Sequence, residues 1–298
     1  MNEQLLRIGP NRLVGVVTAP GAASGAARPG VILLNSGLIQ RVGPNRLYVR
    51  LARALAERGH PVMRFDLSAI GDSPRRLDSL PFERSAVEET GEAMAALRSG
   101  WGTERFVLAG ICTGAVVAFR TARVDEAVSG VGMINPQGLT PRDNEGTEDY
   151  LGRRAASRYY LGQALVRPAS WKKLATGRAD LGAIARACGH RVRSLLGRPP
   201  GLDTPEAQSI AEDLVRLGRE RQLLLMFSAG DPGYDELGLI LGQRMREVRA
   251  AAGTTLRTIA GADHMFTPLH HQHAFLDQVA DWTAGVGAPS SAPAEAAL

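Results

Sequence analysis

Cys112 stands in Gly110-Ile111-Cys112-Thr113-Gly114, a G-x-C-x-G pattern with a strand-like run before it (Arg105 to Ile111, RFVLAGI) and a helix-like run after it (Thr113 to Arg123). Each part of that pattern suits a nucleophile. A sharp strand-to-helix turn lifts the side chain above the sheet edge. Flanking glycines let the backbone pass close without a Cβ clash. A helix that starts just after the sulfur aims its positive end at it and favours the reactive thiolate. The backbone N–H of Thr113 points into the same space, where a developing oxyanion would sit. The second cysteine, Cys188, precedes Gly189-His190, and a Cys–His pair one residue apart does not make a site.

The six histidines divide by position. His264 lies in Gly261-Ala262-Asp263-His264-Met265-Phe266, directly after the last strand-like run, and is the candidate base. His270, His271 and His273 stand where a helix begins; His270 and His273 are three residues apart, but with no third ligand in view no metal site is expected and the group reads as a solvated helix start. His60 follows the helix-ending Gly59 and reads as structural.

The elements that must position these groups alternate along the chain, which predicts a mostly parallel sheet with covering helices. Leu5 to Ile8 and Arg12 to Thr18 form an expected antiparallel hairpin. Strands are expected over Val31–Asn35, Pro61–Asp66, Arg105–Ile111, Gly130–Asn135, Gln222–Ser228 and Thr255–Ile259. Helices are expected over Arg46–Arg58, Phe82–Arg98 (ending at Gly100), Thr113–Arg123, Glu236–Ala251 and Ala274–Trp282. Residues 138–220 break the alternation and read as a helical lid inserted in a core made of 1–137 and 221–284. The Ala/Pro/Ser/Gly-rich tail 285–298 reads as disordered.

With these pieces in order, the chain resembles the α/β-hydrolase superfamily, closest to its lid-bearing esterase and thioesterase branches, over about Arg12 to Trp282. Most members it resembles carry Ser where this chain has Cys112; dienelactone hydrolases and a minority of thioesterases are similar in using Cys. The resemblance implies a catalytic triad in the order Cys112, acid, His264. The acid should follow Gln222–Ser228, and two candidates stand there: Asp231, at the usual distance past the strand, and Asp235, which is also placed to cap the next helix. Asp231 is preferred. The resemblance also places a second oxyanion donor, the Leu38 N–H, in Asn35-Ser36-Gly37-Leu38, where many relatives carry His-Gly-x. Asp66-Leu67-Ser68-Ala69-Ile70-Gly71-Asp72-Ser73 is similar to the superfamily's D-x-x-G-x-G-x-S loop, whose role is structural. No cofactor is implied.

The composition, 44% hydrophobic and 22% charged over 298 residues, is that of a soluble globular protein. No apolar run approaches the roughly 18 residues a membrane span needs, and Met1 to Arg12 does not read as a signal peptide. A cytoplasmic protein with free thiols is expected. The net charge of +5 is concentrated in the lid: Leu151 to Pro200 holds eleven Lys or Arg and a single acid, Asp180. Tyr150, Tyr159, Tyr160 and Trp171 lie among those basic residues, a composition suited to an acyl pocket rather than to nucleic acid. A basic lid suits coenzyme A or an acidic carrier protein. A thiolate nucleophile forms a thioester intermediate open to water, amines, thiols and carbanions. The leading expectation is therefore a thioesterase or acyltransferase acting on acyl thioesters. A dienelactone-type or carboxylic-ester hydrolase and an inactive scaffold are the alternatives.

Overall fold

Val31 to Leu34, Phe106 to Ile111 and Leu223 to Phe227 are unbroken apolar runs, the pattern of parallel strands buried on both faces. In the computed structural model of the chain, which describes residues 2–21, 28–140 and 204–286, all three are central strands of one eight-stranded sheet. The strands are β1 (Asn2–Ile8), β2 (Leu13–Ala19), β3 (Gly30–Leu34), β4 (Val62–Phe65), β5 (Phe106–Ile111), β6 (Val128–Ile134), β7 (Gln222–Ser228) and β8 (Thr254–Ile259). Their order is β1-β2-β4-β3-β5-β6-β7-β8. β1 pairs antiparallel with β2 and β2 with β4; every other pairing is parallel. This is the α/β-hydrolase fold.

The helices are α1 (Leu47–Glu57), α2 (Phe82–Trp101), α3 (Thr113–Val124), α4 (Pro205–Glu220), α5 (Pro232–Leu241), α6 (Met245–Ala250) and α7 (Leu269–Gly285). α1 and α7 pack together, and α2 packs with α3. The two-residue period of a strand divides the core accordingly. Val107, Ala109 and Ile111 of β5 join one buried cluster with Leu47, Leu51 and Leu55 of α1 and Phe275 and Val279 of α7. The alternate β5 residues Phe106 and Leu108 are fully buried outside that cluster.

Three expected boundaries shift. α2 runs through Gly100 and stops at Gly102, which takes the left-handed conformation (φ 64°) and donates its N–H to the Arg98 carbonyl. The helix expected over Glu236–Ala251 starts earlier, at Pro232, and is broken at Gly242 (φ 49°), leaving α5 and α6. α7 begins at Leu269, so His270, His271 and His273 lie in its first turns. His270 and His273 are exposed, but His271 is buried rather than solvated.

The described residues group into two units, 2–21, 28–137, 216–231 and 251–286 in one and 138–140, 204–215 and 232–250 in the other. In the second, the buried Glu236 carboxylate accepts the N–H groups of Gly138 (3.1 Å) and Leu139 (2.9 Å), while burial holds its pKa above the ordinary carboxylate value. Most of the expected lid, with Tyr150, Tyr159, Tyr160, Trp171, its basic residues and Cys188, lies outside the described residues, as does the tail beyond residue 286. Among the described residues no helix is long and apolar enough to cross a membrane.

Candidate active site

Parallel strands lay all their carboxyl ends along one sheet edge. A ligand crevice is expected there where the strand order reverses. In this sheet the reversal falls between β3 and β5: the chain leaves β3 towards β4 and returns to β5 on the other side. The residues singled out in the sequence all follow carboxyl ends on this edge. Leu38 follows β3, Cys112 follows β5, Asp231 follows β7 and His264 follows β8.

Cys112 is half-buried and sits at φ 60°, ψ −121° between β5 and α3, a conformation L-residues rarely adopt. The neighbouring glycines make the turn possible. A Cβ on Gly114 would lie 2.5 Å from the Leu34 carbonyl oxygen, and one on Gly110 would run into the backbone of Gly114. From the other side, the buried Tyr48 hydroxyl accepts the N–H of Ile111 at 2.9 Å. Thr113 is the first residue of α3, so its N–H is one of those a helix start leaves without an intrahelical acceptor. Its Oγ1 accepts the N–H of Gly37 (2.8 Å), tying the loop after β3 to the turn after β5.

Leu38 lies at the tip of that first loop, 89% exposed, in a turn closed by Ile39 N–H to Ser36 O (3.0 Å). Asn35, where relatives carry His, knits this loop to the next. Its Nδ2 donates to Ile39 O (3.0 Å) and Asp66 Oδ1 (3.2 Å), and its Oδ1 accepts the N–H of Leu67 (2.9 Å). Asp66 is fully buried and ion-paired with Arg41, and it accepts the N–H groups of Arg41 (2.5 Å) and Asp72 (3.3 Å). The Asp66 to Ser73 loop is thus bonded to the chain on both sides of Leu38, through Asn35 and Arg41.

His264 and Asp231 meet. His264 Nδ1 is 2.6 Å from Asp231 Oδ2, the carboxylate side chain being 1% exposed and the imidazole 28%. The carboxylate at that distance, and then a hydrogen bond with Cys112, push the His264 pKa up to about 10. Asp235 lies inside the first turn of α5, also buried, beyond the helix start it was placed to cap. Cys112, Asp231 and His264 therefore come together from loops far apart in sequence.

Gln137, which no local sequence signal marks, joins this group. Its Oε1 is 4.0 Å from Cys112 Sγ and its Nε2 is 3.5 Å from His264 Nδ1. Among the described residues no cluster of His, Cys, Asp and Glu is arranged to hold a metal ion.

The profile of the alpha/beta hydrolase family matches residues 16–279. No curated protein matches the chain in sequence. Similar solved structures include a proline iminopeptidase from Mycobacterium smegmatis (18% identity, 95% of this chain and 97% of that one, TM-score 0.56). They also include a thermophilic esterase from Thermogutta terrifontis (15%, 95% and 100%, 0.53) and a dienelactone hydrolase from Anabaena variabilis (14%, 94% and 95%, 0.53). At these identities the likeness is one of fold. The match over residues 16–279, most of the chain, is of a different kind: this protein belongs to the alpha/beta hydrolase family.

Proposed function

We propose that this chain is an acyl-transfer enzyme, a thioesterase or acyltransferase, that attacks acyl thioesters with Cys112 and passes through an acyl-Cys112 intermediate. The observation that carries the reading is the imidazole of His264, 2.6 Å from the buried Asp231 carboxylate, its pKa raised first by that carboxylate and then by Cys112 at the strained turn after β5. A cysteine paired with a histidine is an activated nucleophile.

In the first half-reaction Cys112 Sγ, its proton taken by His264, attacks the thioester carbonyl carbon. The carbonyl oxygen takes up the negative charge, facing the backbone N–H groups of Leu38 and Thr113. Collapse of the tetrahedral intermediate breaks the carbon–sulfur bond to the leaving thiol, which takes its proton from His264. In the second half, His264 accepts a proton from water or from an acceptor thiol or amine as that group attacks the acyl-Cys112 carbonyl. Asp231 fixes the tautomer and stabilises the imidazolium throughout. Exchange of one thioester for another is close to thermoneutral, which favours thioester donors over plain esters. The basic stretch from Leu151 to Pro200 suits the phosphates of coenzyme A or an acidic carrier protein. A thiol that must stay reduced suits the cytoplasm.

Intact-protein mass spectrometry after incubation with acyl-coenzyme A and acyl-pantetheine donors tests this, with Cys112→Ala in parallel. A mass gain on the wild type alone supports the acyl-Cys112 intermediate. No adduct and no released thiol with any donor would overturn the thioester reading and leave the ester-hydrolase and scaffold alternatives.

A further inference from the structure

Asn135 is the residue after β6. It is fully buried, and it is left-handed (φ 43°) although it is not glycine. Its backbone N–H donates to Met226 O in β7 at 2.8 Å. Both ends of its carboxamide are used. Oδ1 accepts the N–H of Ser228 at 2.7 Å, three residues before Asp231, and Nδ2 donates to the carbonyl of His264 at 2.8 Å. A single planar amide therefore spans the loop that carries the acid and the loop that carries the base. The pairing needs a donor at one end and an acceptor at the other. A carboxylate of the same shape would set an oxygen against the His264 carbonyl, and an apolar side chain would leave two buried groups unpaired. A second left-handed asparagine, Asn45 (φ 50°), donates Nδ2 to the next carbonyl, that of Met265, at 3.2 Å. Two consecutive carbonyls of the base loop are thus held by asparagine amides.

We propose that Asn135 is a positioning residue that fixes Asp231 and His264 to one buried amide, so that the acid–base pair keeps its register beneath Cys112. The inference rests on the acyl-transfer reading only in taking Cys112 and His264 as partners, and it is independent of the substrate. Catalytic pairs lose about 100-fold in rate for misplacements near 1 Å, so a clamp of this kind acts on rate rather than on binding.

The test is the rate of Cys112 alkylation by iodoacetamide as a function of pH, with thermal melting alongside. Asn135→Gly keeps the left-handed backbone and deletes the clamp; Asn135→Asp keeps the shape and the Ser228 acceptor but reverses the donor. His264→Ala and Cys112→Ala are the references. In the wild type the profile is expected to carry an inflection near the His264 pKa of about 10, absent in His264→Ala. In Asn135→Gly that inflection is expected to move towards 6.5, the ordinary histidine value, with the alkylation rate at neutral pH down roughly tenfold. If Asn135→Gly does not fold, Asn135→Asp is read for the same shift. A folded Asn135 variant with the wild-type profile overturns the clamp, provided His264→Ala alters the profile. A profile that His264→Ala leaves unaltered overturns the Cys112–His264 pairing and the clamp with it.

Discussion

The hydroxyl of Tyr48 accepts the backbone N–H of Ile111 at 2.9 Å, so the last amide before Cys112 is held by a side chain 63 residues earlier in the chain. Tyr48 is 1% exposed, and burial holds its phenol well above its ordinary pKa, so it remains neutral. The α1 side of the core thereby reaches the turn that carries Cys112. Tyr48→Phe keeps the ring and leaves the Ile111 N–H buried without an acceptor. A loss of about 1–3 kcal/mol is expected in chemical denaturation, with a fall in turnover as the turn loosens. Unchanged stability would mean that another acceptor replaces the hydroxyl.

Gly114→Ala should destabilise the protein although alanine is the better helix former by about 1 kcal/mol. The new methyl would sit 2.5 Å from Leu34 O and 2.6 Å from Asn35 O, both backbone atoms that cannot rotate away. α3 must retreat from the end of β3, at a net cost of about 1–3 kcal/mol, and the Leu38 loop shifts with it. A melting temperature at or above that of the wild type would contradict this packing.

Cys112→Ala and Cys112→Gly should both lack turnover, yet differ in stability. The strained φ and ψ at position 112 cost an L-residue about 1–3 kcal/mol, and glycine escapes most of that. Cys112→Gly is expected to be the more stable of the two by about 1 kcal/mol in urea unfolding. Equal stability would show that the turn stores no strain.

The His264–Asp231 pair sets a direction for pH dependence. The His264 pKa is raised from 6.5 to about 10 in the folded chain. A raised pKa means that the folded state binds the proton more tightly, so the stabilisation is complete below about 6.5 and is lost as pH rises through about 10. Partial exposure of the imidazole reduces its size. Asp231→Asn removes the charge behind the shift. The gap in melting temperature between wild type and Asp231→Asn should therefore be widest near pH 6 and shrink towards pH 10. A gap that stays constant, or widens, would exclude the charged pair.

The sequence by itself determined what depends on local period and local turn chemistry. Strand-like runs alternating with helices imposed a mostly parallel sheet, and Gly110 and Gly114 marked the turn at Cys112 because only glycine fits there. The position of His264 after the last strand was legible through the resemblance to a family whose base sits on that loop. What distance decides was left to the tertiary structure. Asp231 and Asp235 lie four residues apart on one turn, and only the packing brings Asp231 to 2.6 Å from His264 Nδ1 while Asp235 enters α5. Asn135 and Asn45 reach carbonyls 129 and 220 residues away, and Gln137 meets both Cys112 and His264. Nothing in their local sequence marks them. Parallel pairing sets the ends of β3, β5, β6, β7 and β8 side by side whatever the length of chain between them, so the residues beyond those ends become neighbours only once the sheet has formed.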